Sequence, residues 1–449
     1  MNGSITNAEG AMSRLRRSVL VVGGLVGSLV VMPVSATAHA DDLLPVVAQA
    51  ETAPNFDDDA GGNADADDPA IWVHPSIPEH SLVVGTLKNG GLTVFDLRGR
   101  ELQHIPTPPA PAPDTEAGRF NNVDILQNVR IGDRTLDIAV VSDRGRDRLR
   151  IYSIDPRGTP AGSRALTEVT TSAPALVFSA DEAAVEDQRT AYGLALRADP
   201  TGGAPWVVVS QRHETQLALF RLGADPTGRI LYQRAGQIEL PATFQVAGET
   251  WTPCEDPGER PQLEGMVVDQ VSDVLYAAQE DVGIWRIPLS RAGFGQPVLV
   301  ERVREYGQPA IFDEQTEECV PTGPPSSEAG EHLSADAEGL TIAYSDRTSR
   351  TLLASSQGDS TFAAYQIRRP DLRHVGSFQV IDAAAADSVE HSDGAAVTTT
   401  ALGSRFPQGL LVVHDGENTP VVLDDNGEPR PNTNFKLLRL EQLASIIAD

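Results

Sequence analysis

The sequence is poor in cysteine: it has two in 449 residues, Cys254 and Cys319. Neither has the ligand spacing of a zinc site, so a cysteine-based metal centre is excluded. Two cysteines fit an exported protein with one disulfide, and two separate thiols are the alternative. Both lie in long loops rich in proline and glutamate that lead into Glu264 and Asp336, so a bridge between them would tie those loops together.

Positive charge is also scarce, because 35 lysines and arginines face 63 aspartates and glutamates, for a net charge of −28. Such an excess of negative charge argues against nucleic acid as a partner. It leaves two interpretations of the acidic residues: a solvated surface, or a set of carboxylates that bind cations.

Long apolar runs are missing beyond the N-terminus, which argues against a stable membrane association. Near the start, three arginines precede an apolar run over residues 19–34 that ends in small residues at Ala40. This pattern predicts a secretory signal peptide over residues 1–40, a mature chain over 41–449 and a secreted, extracellular protein. A retained N-terminal anchor is the alternative, and Arg16-Arg17 resembles a twin-arginine signal only weakly.

The sequence also lacks the signatures of covalent serine or histidine catalysis. No serine lies in a Gly-x-Ser-x-Gly elbow, and the nine histidines show no nucleophile pattern. Covalent serine or histidine chemistry is therefore disfavoured.

A repeated unit is present instead, with a short apolar strand, a turn, a stronger apolar strand and an alternating strand. Its copies begin 54 to 74 residues apart, at Asp68, Asn122, Tyr192, Glu264, Glu338 and Asp393. This spacing predicts an all-β, six-bladed β-propeller with four strands per blade. Because the chain ends near the sixth copy, we expect an N-terminal strand around residues 44–48 to close the last blade. A helix is expected at residues 441–448.

Acidic and basic residues recur where the strands of these units start and end. In a propeller such positions lie at the rims and the central channel, so we expect the side chains to share one mouth. The residues are Asp67, Asp68, Lys88, Arg144, Glu214, Glu264, Glu280, Asp336, Glu338 and Asp393. Carboxylates this crowded repel one another unless hard cations lie between them or their protons stay on. Oxygen ligands without a histidine or cysteine cluster favour calcium.

Lys88 and Arg144 are the cationic residues expected at this mouth. Each could be an ordinary surface cation. Beside bound metal ions they would instead grip an anion, and a guanidinium binds phosphate through two donors. Calcium together with these cations predicts a phosphorylated ligand.

Several segments resemble the β-propeller phytases, also called alkaline phytases, from about Glu51 to the C-terminus. They are residues 65–72 (DADDPAIW), 121–125 (NNVDI), 264–266 (EGM), 336–342 (DAEGLTI), 352–358 (LLASSQG), 415–418 (DGEN) and 434–436 (NFK). The resemblance implies a calcium-dependent enzyme that releases phosphate from phytate, the hexakisphosphate of inositol, as its calcium complex, and from lower inositol phosphates. It also implies structural and catalytic calcium ions. We expect a monomer.

The resemblance also implies roles for individual residues. The ligands of the catalytic calcium ions would be Asp67, Glu264, Glu280, Asp336 and Glu338, with Glu51 and Glu214 as further members. Structural calcium positions would involve Asp68, the backbone around Val123, Asp387, Glu417 and Asn418. Phosphate-binding groups would be Lys88, Arg144 and Tyr192.

The sequence departs from the family pattern around the phosphate-binding residues. Asn89 and His213 stand where lysine is common, and Arg189-Thr-Ala precedes Tyr192. These changes concern substrate preference more than the reaction. Two rival functions remain: a calcium-dependent propeller lactonase or phosphotriesterase, and a non-catalytic propeller that uses calcium for rigidity.

Overall fold

The structure is a computed structural model that describes residues 43–58, 60–158, 164–346, 348–368 and 370–447. The predicted signal peptide lies outside these residues. The described chain is nearly all β, with six sheets of four or five strands and three small two-stranded hairpins. These sheets form the six blades of a propeller, which confirms the fold predicted from the repeats.

Blades 1 to 3 follow one another along the chain, each a four-stranded antiparallel sheet. Blade 1 consists of Pro69–Trp72, Leu82–Thr86, Leu92–Asp96 and Glu101–Ile105. Blade 2 consists of Phe120–Ile131, Arg134–Asp143, Arg148–Ile154 and Leu166–Glu168, and blade 3 of Ala191–Arg197, Trp206–Gln211, Gln216–Ala224 and Ile230–Glu239.

Blades 4 to 6 repeat this order with additions. Blade 4 consists of Leu263–Asp269, Val274–Gln279, Gly283–Ser290 and Val298–Arg302, with the short strand Gly293–Phe294 beside the third. Blade 5 consists of Ala337–Tyr344, Arg350–Ser356, Thr361–Arg368 and Asp371–Val380. Blade 6 consists of Ala395–Thr398, Leu410–Asp415, Asn434–Arg439 and the N-terminal strand Ala48–Glu51.

The N-terminus closes the ring, but it divides between two blades. Ala48–Glu51 pairs antiparallel with Asn434–Arg439, so the last blade is completed as expected. The preceding strand, Leu44–Val46, instead pairs in parallel with the outer strand of blade 5. The sequence predicted one strand over residues 44–48, but this segment forms two strands that are separated by a single residue, Val47. The first of them belongs to blade 5 and only the second belongs to blade 6.

The remaining elements are short. The two-stranded hairpins are Phe244–Val246 with Glu249–Trp251, Ala310–Asp313 with Glu318–Pro321, and Val422–Leu423 with Pro429–Arg430. The 3₁₀ helices are Pro78–His80, Pro156–Gly158, Ala184–Asp187, Gln357–Asp359 and Leu440–Leu443, and the last continues into the α-helix Ala444–Ile447, near the predicted C-terminal helix. Among the described residues, no helix has the length and apolar character needed to cross a membrane.

Six apolar cores hold the blades together, one between each pair of neighbours. The core between blades 6 and 1, for example, contains Val83, Phe95, Val412 and Phe435, each at most 4% exposed. The middle strands are buried on both faces because each blade packs against two others, which explains their continuous apolar runs. The first strand of every blade lines a central channel of about 240 Å³. We call the end of the channel at which these first strands begin the upper face, and the opposite end the lower face.

Candidate functional site

The first strands of blades 2 to 5 each carry a β-bulge just after they leave the upper face. The register shifts lie between Phe120 and Val123, Ala191 and Leu194, Leu263 and Met266, and Ala337 and Leu340. A bulge bends its strand and changes the direction of the side chains within it. The residues inside these bulges include Asn121, Tyr192, Glu264 and Glu338. The same irregularity in four blades thus presents four polar side chains to one mouth.

A glycine follows three of these side chains, and packing between blades explains it. A Cβ on Gly193 would lie 2.0 Å from the carbonyl oxygen of Glu264, and one on Gly265 would lie 2.1 Å from that of Glu338. Gly339 repeats the contact with the carbonyl oxygen of Asp393 at 2.4 Å. Such distances leave no room for a side chain, so close packing of the first strands of neighbouring blades requires glycine at these three positions.

Three carboxylates meet at this mouth, and we call Glu264, Glu280 and Glu338 the mouth cluster. One oxygen from each lies within 4.8 Å of the others. Glu264 and Glu338 come from the first strands of blades 4 and 5, and Glu280 directly follows the second strand of blade 4. Glu264 is 6% exposed and Glu338 is 5% exposed, so the cluster is largely withdrawn from water.

Burial and mutual repulsion shift the protonation of these acids. The pKa of Glu280 and that of Glu338 are raised well above the ordinary value, first by burial and then by the neighbouring carboxylates, Glu264 foremost. Burial and Asp393 also raise the pKa of Glu264, although a hydrogen bond from Tyr192 opposes the change. Without a counter-charge, the mouth cluster therefore holds its negative charge at a cost in free energy.

Oxygen atoms at the mouth lack donors. Among the described residues, no hydrogen-bond donor reaches Glu280 Oε1, Glu338 Oε2 or Asp67 Oδ2, and all three atoms are buried. Asp67 is 1% exposed, and burial raises its pKa well above the ordinary value, with Glu264 and Asp393 adding to the rise. Orphaned buried carboxylate oxygens are costly in a protein interior unless a cation completes them.

The other acids predicted at the mouth lie around this cluster. Asp336 is half-buried, and its charge acts on both Glu280 and Glu338. Asp393 lies 3.5 Å from Lys88 Nζ and accepts a hydrogen bond from Gln357. Asp68 lies lower, among the residues that line the channel, where its Oδ2 accepts a hydrogen bond of 2.9 Å from the Val123 amide. Burial raises the pKa of Asp68 well above the ordinary value.

Lys88, Arg144 and Tyr192 all act on the Glu264 carboxylate of the mouth cluster, the first two by charge and the third by a hydrogen bond. Lys88 Nζ is 2.9 Å from Asp65 Oδ2 and 4.0 Å from Asp67 Oδ2. Burial alone would lower the pKa of this ammonium, but Asp65, Asp67 and Asp393 raise it, so it stays charged. The Arg144 guanidinium lies 5.6 Å from the centre of the Tyr192 ring.

Asn121 links the cationic side of the mouth to the acidic side, a role that the sequence did not reveal. Its Oδ1 accepts a hydrogen bond of 2.7 Å from Arg144, and its Nδ2 donates one of 2.6 Å to Glu264 Oε1. Asn121 is completely buried, so this chain of contacts fixes the spacing between the guanidinium and the carboxylate. The only sequence signal was its place in the NNVDI segment.

Two further arginines, Arg119 and Arg212, were missed in the sequence. Burial lowers the pKa of each guanidinium to about 10, and repulsion from Arg144 contributes to both shifts. Both stay protonated at neutral pH, since this value lies well above 7. Arg119 directly precedes the first strand of blade 2 and Arg212 directly follows the second strand of blade 3, so position relative to the strands could have revealed them.

Two acids that were predicted as further ligands of the catalytic calcium ions, Glu214 and Glu51, form ion pairs with cations of the chain. The Glu214 carboxylate pairs with Arg189 and, at 3.3 Å, with Arg260. Glu51 lies at the edge of blade 6, where its Oε2 is 2.6 Å from Lys436 Nζ. Both carboxylates are therefore already balanced by cations of the chain.

A second group of acids surrounds Lys436, and we call Lys436, Glu51, Asp387, Asp415 and Asn418 the lysine cluster. Lys436 is completely buried, and its Nζ lies 3.1 Å from Asp415 Oδ2 and in contact with Asp387. It also donates a hydrogen bond of 2.8 Å to Asn418 Oδ1. Asp387 and Asn418 thus lie together, whereas the Glu417 carboxylate is exposed, 3.5 Å from His391.

A disulfide joins Cys254 to Cys319, which confirms that pairing. It ties the segment before Glu264 to the hairpin Ala310–Asp313 with Glu318–Pro321. The same segment contacts blade 3, since Arg189 donates to the Gly258 carbonyl and His213 lies 2.9 Å from Glu259. The loop beside the mouth is therefore held at several points.

The mouth fits a hard divalent cation on three grounds. Its ligand atoms are all oxygens, its carboxylates converge within 4.8 Å, and its buried oxygens lack donors. Calcium and magnesium both prefer oxygen ligands, and the number of carboxylates on several strands suits the larger, more variable shell of calcium. The fold and site together define a six-bladed propeller with a cluster of converging carboxylates and neighbouring cationic side chains at one mouth.

Comparison with known proteins identifies the family. A family model described as "Phytase" matches residues 16–182 and 325–449. The 3-phytase of Bacillus subtilis (strain 168) is 29% identical over 429 residues, which cover 95% of this chain and 92% of that protein. The chain therefore belongs to the phytase family, and it is an enzyme of that class.

Solved structures show weaker likenesses. The calcium-binding protein regucalcin from Agrobacterium tumefaciens (strain C58) is 11% identical, with a TM-score of 0.43 over 88% of this chain and 96% of that one. A periplasmic gluconolactonase from Pseudomonas aeruginosa is 11% identical, with a TM-score of 0.36 over 69% and 70%. Neither likeness bears on the chemistry of the site.

Proposed function

We propose that this protein releases inorganic phosphate from phytate and from lower inositol phosphates, in a calcium-dependent reaction at the upper face. The observation that carries the proposal is the mouth cluster, with three converging carboxylates and donor-free buried oxygens beside Lys88 and Arg144. Membership of the phytase family and the similarity to a 3-phytase support phytate as the substrate.

In this proposal the acids of the mouth hold the catalytic ions. Glu264, Glu280 and Glu338 supply converging oxygens, and Asp67 adds a further one. Asp336 and Asp393 border the group and complete its negative charge. Bound calcium would supply positive charge for the phosphoryl oxygens and would make a nearby water more acidic.

The cationic side chains would bind and orient the phosphate group. Lys88 and Arg144 offer charged donors, and Arg119 and Arg212 are near enough to Arg144 for their charges to repel it. Tyr192 packs against the Arg144 guanidinium, while Asn121 holds both Arg144 and Glu264 in place. Asn121 is thus a positioning residue, since it acts through those two groups.

Other predictions from the sequence remain part of this proposal. Asp68 with the Val123 backbone, and Asp387 with Glu417 and Asn418, are proposed structural calcium positions, while Glu51 and Glu214 remain proposed members of the catalytic set. We also propose a signal peptide over residues 1–40, a secreted propeller domain over 41–449 and a monomer that acts on the calcium complex of phytate.

The decisive assay measures orthophosphate released from calcium phytate, before and after chelation with EGTA, and after calcium is restored. We expect release in calcium, loss in EGTA and recovery on restoration. The Glu264→Gln variant should lose release in calcium, whereas Glu101→Gln, at an exposed position on the outer strand of blade 1, should retain it. Release that persists in EGTA would refute calcium dependence, and hydrolysis of lactones or phosphotriesters without release from phytate would refute the substrate.

The phosphate-binding role of Arg144 has a separate test. Replacing it with glutamine removes a charged donor, so KM for phytate should rise or kcat should fall while circular dichroism shows an intact fold. Unchanged kinetics in a folded Arg144→Gln variant would contradict that role.

A further inference from the structure

A second cavity, of about 740 Å³, opens on the lower face between blades 6 and 1, and we call it the basal cavity. It is separate from the mouth, because the loops and strand ends around it lie at the opposite end of the blades. Four arginines line it: Arg98, Arg100, Arg405 and Arg439. Its volume is in the range of small-molecule sites, roughly 300–1,000 Å³.

The basal cavity has a positive lining in a protein whose net charge is −28. Its four arginines face two carboxylates in the lining, those of Glu79 and Asp96, and Arg439 also lies 3.9 Å from Glu441. Asp96 is occupied by its own turn, since it accepts hydrogen bonds from the Arg98 amide at 2.8 Å and from Arg100 Nε at 2.8 Å. The Arg98 and Arg405 guanidinium groups have no acidic partner among the described residues. Positive charge is therefore left over at this cavity.

The wall that carries Arg405 is firmly built. Leu402 and Phe406 are completely buried in the core between blades 6 and 1, and the Leu402 amide donates to the Phe406 carbonyl at 2.8 Å. Arg439 Nε donates to the Arg405 carbonyl at 2.9 Å, which fixes the turn against the end of the third strand of blade 6. Arg405 thus projects from a short, anchored turn.

The floor of the basal cavity is apolar. Leu82, Leu97 and Leu402 line it and are each at most 5% exposed. A guanidinium binds a phosphate group through two parallel donors, and several around one cavity suit a ligand with more than one anionic group. The apolar floor can accept the carbon skeleton of such a ligand.

We propose that the basal cavity binds a small phosphorylated molecule with at least two anionic groups, and that it does so without a metal ion. It would thus bind anions by a mechanism opposite to that of the mouth, which needs cations before it can accept a polyanion. The proposal is independent of the reaction at the upper face.

The test is isothermal titration calorimetry of the full chain in EGTA, with phytate, pyrophosphate and sulfate as separate probes. Chelation leaves the mouth negatively charged, so binding there is suppressed while the basal cavity is unaffected. We expect one molecule of phytate or pyrophosphate bound per chain, and weaker binding of sulfate. In the double variant Arg98→Gln/Arg405→Gln we expect about a hundredfold loss of affinity, roughly tenfold for each charge-assisted contact removed.

Arg157→Gln is the matched control, because Arg157 is exposed beyond the third strand of blade 2, away from the cavity. It should bind like the unchanged protein. Circular dichroism must show that the chelated proteins are folded. If chelation unfolds them, pyrophosphate is titrated in calcium, where the double variant should lose one of two binding components.

Several results would overturn the proposal. The first is that folded protein in EGTA binds neither phytate nor pyrophosphate. The second is that the double variant binds them with the same affinity as the unchanged protein. The third is that, in calcium, both components of pyrophosphate binding survive the double substitution. Phosphate release at the upper face is expected to persist in the double variant, and its loss would contradict the separation of the two sites. Failure of the calcium-dependent reaction itself would leave the result in EGTA unaffected.

Discussion

The mouth cluster and the lysine cluster each bring three carboxylates together, yet they differ in how the charge is balanced. Lys88 and Lys436 are the only two lysines of the chain, and one lies at each cluster. Lys436 is completely buried and contacts Glu51, Asp387 and Asp415. Lys88 lies near Asp65 and Asp393, and its charge reaches the mouth cluster only at a distance, at Glu264. Among the described residues, no lysine or arginine forms an ion pair with a carboxylate of the mouth cluster.

The pKa values follow this difference only in part. Burial opposes ionisation of Asp387, but hydrogen bonds from Lys436 and Thr419 and the charge of Lys436 together lower its pKa. Burial still raises the pKa of Asp415, although Lys436 opposes the rise. At the mouth, burial and like charges raise the pKa of Glu280 and of Glu338. A buried acid cluster is thus stronger evidence for a cation site where no cation of the chain pairs with its carboxylates.

The largest expected effect comes from breaking the lysine cluster. Replacing Lys436 with methionine leaves three buried or half-buried carboxylates without their ammonium, which should lower the free energy of unfolding by about 3–5 kcal/mol. Lys88→Met is the comparison, because bound calcium can balance the acids beside it. Urea unfolding in calcium measures both, and equal losses would break the distinction between the clusters.

Neutralising one acid of the mouth should separate stability from activity. We expect Glu338→Gln to lower phosphate release in calcium by at least about a hundredfold, because a carboxylate near the reacting group is lost. In EGTA the same variant should be as stable as the unchanged chain or more so, because a repelled buried charge is gone. A variant that unfolds more easily in EGTA would show that Glu338 is already balanced within the chain.

The backbone that shapes the mouth can be tested at Gly265. An added Cβ would lie 2.1 Å from the Glu338 carbonyl oxygen, so Gly265→Ala should lower the free energy of unfolding by about 2 kcal/mol. Gly236→Ala is the control, because a Cβ there has no atom within 4 Å. Similar urea midpoints for the two variants would contradict the close packing of blades 4 and 5.

The smallest effect concerns pH. Asp67 and Glu338 have raised pKa values, so in EGTA their contribution to stability is present below their ordinary values and is lost as pH rises through the raised ones. Calcium competes with these protons, so the gap in Tm between calcium and EGTA should widen with increasing pH. Each carboxyl that titrates adds up to about 1.4 kcal/mol per pH unit. A difference in Tm between calcium and EGTA that narrows as pH rises would contradict the raised pKa values of these carboxyls.

Much of the fold could be predicted from the sequence because strands of four to seven residues recur at similar spacing. The starts of all six first strands were predicted within a few residues. The division of the N-terminus between two blades could not be predicted, because Leu44–Val46 and Ala48–Glu51 form one continuous stretch in sequence. Only the strands with which they pair, in blade 5 and in blade 6, distinguish them.

The site was predictable where acids coincide with strand starts, as at Glu264 and Glu338. Asn121, Arg119 and Arg212 were missed because their roles depend on what lies across the mouth, which no local pattern records. Glu51 and Glu214 were expected near the catalytic ions, but the partners that balance them, Lys436 and Arg189 with Arg260, come from distant segments.

Calcium titration by calorimetry of the chelated protein tests the central claim most directly. If the donor-free oxygens of the mouth hold a divalent cation, Glu338→Gln should bind at least one calcium ion fewer than the unchanged chain, while Glu101→Gln should bind the same number. Equal stoichiometry and affinity in Glu338→Gln and the unchanged chain would show that the mouth cluster does not bind calcium.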